Sequence, residues 1–137
     1  MRTRSWAALG LLGFLLLAGC ARDVSAPESA TVPGIYHLTT VNGTALPYLV
    51  QQDAASRVDV TESVLTLNAD RTWSEVVAYR VSGGGSASTG TQMTIGTWAA
   101  MNGAVALTSA DGFTSSGAVS RTLLTLIGQG FTMVYRR

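Results

Sequence analysis

The sequence is poor in several residue types, and each shortage excludes a class of function. It has nine Arg, no Lys and eight acidic residues, so it lacks the basic excess with which nucleic-acid-binding proteins neutralise phosphates. Cys20 is the only cysteine, which rules out a disulfide within the chain. His37 is the only histidine, whereas a zinc site takes three or four nitrogen, sulfur or oxygen ligands. We therefore expect no nucleic-acid partner, no metal and no cofactor.

Motifs for catalysis are scarce as well. Glycosidases use carboxylates in pairs, and Asp59 with Glu62 or Glu75 are carboxylates of that kind, but no spacing in the sequence establishes a pair. No serine lies in a nucleophile-elbow motif that would pair with His37. The segment 82–90 is rich in Gly but lacks the Lys that ends a phosphate-binding loop. We expect no catalytic residues and no enzyme, a surface or rim position for His37, and a flexible hairpin loop at 82–90.

The N-terminus has the pattern of a secretory signal. Arg2 and Arg4 precede an apolar stretch from Trp6 to Ala18, and a charged start, a short apolar segment and a small-residue exit are typical of a signal peptide. At about 1.5 Å per residue the stretch spans roughly 20 Å as a helix, less than the ~30 Å hydrocarbon core of a bilayer. A permanent transmembrane anchor is therefore the weaker interpretation, and residues 1–19 are predicted to be removed.

The signal ends in Leu17-Ala18-Gly19-Cys20, which resembles the lipobox of bacterial lipoproteins. The resemblance implies cleavage before Cys20 and a diacylglycerol thioether on its sulfur, with acyl chains such as palmitate anchoring the protein to a membrane. Because Ala21 rather than Asp follows the cysteine, it implies the outer membrane of a Gram-negative cell, with the protein facing the periplasm. In a Gram-positive cell the same protein would lie outside the plasma membrane. Residues 20–33, with Pro27 and Pro33, are predicted to be a flexible tether.

From Gly34 onward, short β-branched and aromatic runs alternate with turn residues, a pattern that indicates an all-β domain over 34–137. Eight strands are predicted, at 34–41, 57–67, 72–81, 91–100, 104–108, 113–120, 122–127 and 131–136. Residues 45–55 are predicted to be irregular, with room for one helical turn. Antiparallel strands at this spacing favour a small up-and-down barrel, and a β-sandwich is the alternative.

Two details of the strand pattern predict more than the fold. In the second strand Val58 and Val60 have one parity and Leu65 and Leu67 the other, so we expect a β-bulge near Glu62 that exchanges the two faces. In the third strand Glu75 shares its face with Trp73 and Val77. Glu75 is therefore either at a strand end or a carboxylate inside the domain.

Several local patterns together resemble the small lipocalin-like domains of bacterial lipoproteins: G-I-Y-H-L-T-T-V-N-G-T-A-L-P at 34–47, L-T-L-N-A-D-R-T-W at 65–73, G-T-W at 96–98 and N-G-A-V-A-L at 102–107. The resemblance covers 34–137 and implies a β-barrel that binds a small apolar ligand without catalysis. The first strand departs from true lipocalins, because Tyr36 stands where they carry Trp.

Two functions remain open on the sequence alone. In the first, inward side chains line an apolar pocket; the candidate ligand-binding residues are Tyr36, Trp73, Tyr79, Trp98 and Met133. In the second, the barrel is filled and the protein is a structural or protein-interaction module of the cell envelope, whose partner is unknown. In that case segments 42–56 and 82–90 form the contact and carry an exposed apolar patch.

Overall fold

A computed structural model describes residues 32–137 of the chain. The predicted signal peptide, Cys20 and all but the last two residues of the predicted tether lie outside the described residues. Ten strands are present: β1 Gly34–Val41, β2 Thr44–Ala45, β3 Tyr48–Gln52, β4 Arg57–Leu67, β5 Thr72–Gly83, β6 Ser86–Met101, β7 Ala104–Ser109, β8 Thr114–Ser120, β9 Leu123–Gly128 and β10 Phe131–Arg136. No stretch of this part of the chain forms a helix with the length and apolar character needed to cross a membrane.

Eight of the strands close into an antiparallel barrel. The sheet runs β1-β10-β9-β8-β7-β6-β5-β4, and β4 pairs again with β1 from Gly34 opposite Leu67 to His37 opposite Val64. The two short strands lie outside this ring, with β2 paired to the end of β1 and β3 to the start of β4. The predicted all-β barrel is confirmed, and the sandwich alternative is wrong, because β1 and β4 leave no gap in the ring.

Two segments predicted to lack strands contain them. Residues 45–55 hold β3 rather than a helical turn. The predicted loop at 82–90 is a hairpin in which Gly83 pairs with Ser86 and only Gly84 and Gly85 form the turn. Both turn glycines have positive φ, 57° and 79°, which a two-residue hairpin turn of this kind requires. The prediction took the Gly-Ser composition as a loop signal, but pairing with a regular neighbouring strand decides the conformation.

The barrel has two different ends. At one end lie Val32, the β4–β5, β6–β7 and β8–β9 turns and the C-terminal Arg137; we call this the closed end. At the other, the open end, β4, β5 and β6 continue past the ring and, with β3, form a four-stranded extension. Along the extension β6 has only β5 as a partner, because its pairing with β7 begins at Gly96.

Two β-bulges set which side chains face inward. The register of β4 against β5 shifts between Val60 and Glu62, which places a bulge at Thr61 and confirms the face exchange predicted near Glu62. A second shift, between Leu38 and Thr40 of β1, was not predicted. Because of it, Val41 rather than Thr40 joins Leu38 in the core.

The barrel is filled with side chains from its closed end as far as Val41, the last residue of β1. Its core contains thirteen buried residues: Tyr36, Leu38, Val41, Leu65, Leu67, Trp73, Trp98, Val105, Leu107, Val119, Leu124, Leu126 and Tyr135. At the closed end, Arg71 stacks over the Trp98 ring at 4.4 Å and Arg137 stacks over the Tyr36 ring at 5.0 Å. These cation–π contacts cover the core at the closed end. Ring and core both lie within residues 32–137.

Candidate functional site

A polar group crosses the barrel above the filled core. The Glu75 carboxylate accepts a hydrogen bond from the Ser63 hydroxyl at 2.5 Å and another from the Tyr135 hydroxyl at 2.8 Å, both on Oε1. Ser63 and Tyr135 are buried, whereas Glu75 is only half-buried. Because both hydroxyls donate to the same oxygen, Oε2 of Glu75 has no hydrogen-bond partner among the described residues, and it is not buried.

Strand periodicity explains why Glu75 points inward. Side chains alternate along a strand, so Trp73, Glu75, Val77 and Tyr79 share one face of β5. Trp73 lies in the core, which fixes this face as the inner one. The bulge at Thr61 keeps Val60 on the same inner face, opposite Tyr79.

Half-buried apolar side chains surround the carboxylate on the open side. Val60, Val77, Tyr79 and Met133 all have intermediate exposure, in contrast to the buried core below them. Met133 is next to the polar group, because the Tyr135 hydroxyl lies 3.5 Å from its sulfur. We call the space bounded by Val60, Glu75, Val77, Tyr79 and Met133 the mouth.

Small residues occupy several inner positions. Thr94 of β6, Ser115 of β8 and Gly128 of β9 are partly exposed, and the Ser115 side chain takes the space that a Cβ atom on Gly128 would need. Gly90 likewise makes room for Tyr79, since a Cβ atom there would lie 2.5 Å from the Tyr79 ring. The missing side chain at Gly90 lets the Tyr79 ring lie flat against β6 and form part of the mouth wall.

An aromatic contact closes one side of the mouth. The rings of Tyr48 and Phe131 meet edge to face with centroids 6.2 Å apart, a favourable geometry for two aromatic rings. Asn42 donates to the Tyr48 hydroxyl at 3.1 Å and accepts from the Thr132 backbone at 2.8 Å. These contacts tie β3 to the start of β10.

The candidate ligand-binding residues predicted from sequence fall into two groups. Tyr36, Trp73 and Trp98 lie in the filled core, and their polar atoms are bonded to the backbone: Tyr36 to Val32, Trp73 to Thr97 and Thr108, and Trp98 to Asn68. Tyr79 and Met133 line the mouth. The sequence left two positions open for Glu75, a strand end or the interior, and the structure places it on the inner face. Sequence reasoning did not single out Ser63, which has the parity of Leu65 and Leu67, or Val60, which the bulge at Thr61 turns to the same inner face, as site residues.

The other carboxylates lie away from the mouth. Asp59 is on the outer face, where it accepts two hydrogen bonds from the Arg57 guanidinium at 2.7 and 2.8 Å. The Arg57 guanidinium holds the pKa of the Asp59 carboxyl below its usual value. Glu62, opposite Ala78, is also on the outer face, so neither approaches Glu75 as an acid–base pair would. Among the described residues no three His, Cys, Asp or Glu side chains are grouped to hold a metal ion.

A second depression lies on the outside of the barrel. It has a volume of about 420 Å³ and is open to solvent between β5, β6 and the β7–β8 turn. Its lining is Asn68, Thr72, Trp73, Ser74, Ile95, Gly96, Thr97, Thr108, Ser109 and Ala110, with no charged group among them. We regard the mouth as the candidate site because it combines an apolar wall with a charged group that fixes orientation.

Burial and the Glu75 carboxylate raise the pKa of the Tyr135 phenol above its ordinary value of 10.0. The folded state therefore keeps the proton at a pH where the unfolded chain loses it. It follows that the stability contributed by this group is complete below pH 10 and is lost as the pH rises above it.

We therefore expect the free energy of unfolding to fall above about pH 10, with Tyr135 contributing at most about 1.4 kcal/mol per pH unit. Tyr135→Phe removes that contribution and flattens the decline. Urea unfolding of both proteins at pH 8 and pH 11 measures the difference. An unchanged slope in the variant would mean that Tyr135 ionises normally.

No protein-family model matches the chain, and no curated protein matches it in sequence. The functional argument therefore rests on the sequence and on the geometry of the mouth.

Proposed function

We propose that this protein is a lipid-anchored, lipocalin-like protein of the bacterial cell envelope that binds a small apolar ligand in its mouth, without catalysis. The observation that carries the proposal is the change in packing along the barrel axis. Below Glu75 the interior is filled by buried side chains, whereas the apolar residues above it, Val60, Val77, Tyr79 and Met133, are half-buried, with the buried Val41 beside Met133. An apolar concave surface with a few polar groups is typical of small-molecule sites.

The anchoring part of the proposal rests on Leu17-Ala18-Gly19-Cys20. Val32 packs against the core and accepts a hydrogen bond from Tyr36 at 2.6 Å, so the chain enters the barrel at its closed end. An anchor at Cys20 then leaves the mouth at the opposite end of the domain. Metabolic labelling with palmitate tests this: the full chain incorporates label in a bacterial host, and Cys20→Ser does not. Label in both proteins would contradict it.

Binding is tested with an uncharged probe. A chain that starts at Ala21 contains the whole domain, and decan-1-ol is apolar with a neutral head. We expect saturable binding of one molecule per protein in isothermal titration calorimetry, with a negative heat-capacity change from apolar burial. Ala21–Arg137 that unfolds cooperatively in urea yet gives no heat with decan-1-ol or with charged ten-carbon analogues would contradict the proposal.

A second candidate is a protein-interaction module, and the free edge of β6 favours it. Charged residues and proline usually protect an edge strand from pairing with another strand. From Ser86 to Thr94 this edge has neither. Met93 and Ile95 beside it are 64% and 54% exposed. The predicted contact segment 82–90 thus becomes an edge strand, to which a second copy adds by antiparallel pairing. Sedimentation equilibrium would then show a dimer, and a monomer at all concentrations would exclude it.

A further inference from the structure

We propose that the mouth selects a cationic amphiphile, namely a primary amine or a comparable hydrogen-bond donor with positive charge on an apolar chain, and that Glu75 binds its head. This inference rests on the proposed function, because it specifies the ligand of the same mouth. It begins from an imbalance of charge. Glu75 places a half-buried carboxylate on the inner face of the barrel, where two hydroxyls donate to it but no group of opposite charge pairs with it among the described residues.

None of the described basic side chains supplies that partner. Arg57 and Arg80 lie on the outer face of the extension beside Asp59, and Arg136 lies opposite His37 on the outer face of β1 and β10. The remaining three are at the closed end, where Arg71 and Arg137 cover Trp98 and Tyr36 and Arg121 forms the β8–β9 turn. The interior carboxylate therefore faces the mouth without a cation from residues 32–137.

The hydrogen bonds around Glu75 orient it toward a ligand. Ser63 and Tyr135 both donate to Oε1, so they stabilise the charged carboxylate and fix its position while Oε2 remains available. An ammonium group has three N–H donors and no acceptor, which matches an exposed carboxylate oxygen. A carboxylate or phosphate head would instead be repelled by Glu75.

The walls of the mouth would contact the apolar chain of the ligand. Val60, Val77 and Met133 contribute aliphatic surface on the open side of Glu75, and Tyr79 contributes a ring held flat over Gly90. Two exposed groups outside the mouth also carry negative charge at this end, Asp111 in the β7–β8 turn and Asp53 before β4. Four of the six described arginines lie toward the other end, and the acidic groups at the open end outnumber Arg57 and Arg80 there, so the field around the domain attracts a cation toward the mouth.

The test compares three probes that share one chain and differ in the head: decylamine, decan-1-ol and decanoate. We expect decylamine to bind Ala21–Arg137 about tenfold more tightly than decan-1-ol, the factor that separates charge-assisted from neutral hydrogen bonds. Decanoate should bind more weakly than decan-1-ol. Calorimetry below the micelle concentration at pH 7 gives all three constants.

The variant Glu75→Gln removes the charge but keeps an oxygen that accepts from Ser63 and Tyr135. It should bind decylamine and decan-1-ol equally, and retained decan-1-ol affinity shows that the mouth is intact. Glu62→Gln removes an exposed carboxylate of the neighbouring strand on the outer face and should leave the tenfold preference unchanged.

The outcomes separate the two proposals. Equal affinities of the wild-type protein for the three heads would overturn the cation inference and leave apolar binding in the mouth standing. A decylamine preference that survives Glu75→Gln would overturn the role of Glu75. If none of the three probes binds, the proposed function fails and the inference fails with it. The comparison of heads on the wild-type protein needs no variant to fold.

Discussion

Truncating Leu124 to Ala should lower the free energy of unfolding by about 2–5 kcal/mol, the usual range for a buried Leu in a core. Leu124 of β9 is 0% exposed and belongs to the filled part of the barrel. It is paired across the sheet with Val119 on one side and with Tyr135 on the other. A small domain has a total stability of about 5–15 kcal/mol, so this loss is a large fraction of it.

Ile127 is the matched control for this prediction. It lies three residues further along β9, on the outer face, and is 58% exposed. Ile127→Ala removes a similar volume of side chain and should change stability by no more than about 0.5 kcal/mol. Urea unfolding of both variants, monitored by tryptophan fluorescence, measures the two effects. Equal losses would contradict the assignment of inner and outer faces on which the mouth depends.

Substituting Val77 by Arg should abolish the preference for decylamine while the barrel stays folded. Val77 and Glu75 are two residues apart on the inner face of β5, the same spacing as Arg57 and Asp59 on β4. Those two side chains form a two-point ion pair at 2.7 and 2.8 Å. An arginine introduced at position 77 therefore provides the counter-cation that the mouth otherwise lacks, and it fills the space in front of Glu75.

We expect decylamine affinity to fall at least tenfold in Val77→Arg, equivalent to roughly 1.4 kcal/mol. Val76→Arg is the control. Val76 immediately precedes Val77 on β5, but it faces outward opposite Met93 and is 41% exposed. This variant adds the same charge to the protein and should leave affinity nearly unchanged. Calorimetry with decylamine measures both, and a similar loss in the two variants would point to general charge repulsion instead of a local ion pair.

Much of the fold follows from local sequence signals. Asn42-Gly43 follows the predicted strand 34–41 and Asn102-Gly103 lies between the predicted strands 91–100 and 104–108, and in both pairs the two residues have positive φ, as a tight hairpin turn requires. The parity change within β4 predicted a bulge, and Thr61 provides it. These features depend on residues close in sequence, which is why they can be predicted without the tertiary structure.

What the sequence did not predict depends on pairing between distant segments. Residues 86–90 form a strand because β5 offers them a regular partner. β3 pairs with the part of β4 that β1 leaves unpaired, since the pairing of β1 with β4 stops at His37 opposite Val64. Tyr36, Trp73 and Trp98 were candidates for a ligand because aromatic side chains suit both a core and a pocket. Their position in the filled core below Glu75 depends on how the strands close into a barrel, which the local sequence does not indicate. The contact of Tyr135 with Glu75 joins residues 60 positions apart, and nothing local indicates it.

The most direct test of the account is a decylamine titration of the ¹⁵N-labelled domain followed by NMR. The account predicts shifts in the amides of Val60, Val77, Tyr79 and Met133 as the protein saturates, with Trp98 and Leu107 at the closed end and Met93 on the outer face unaffected. Shifts concentrated along the outer face of β6, or none in the mouth at saturation, would contradict the claim that the open end of this barrel is a binding site.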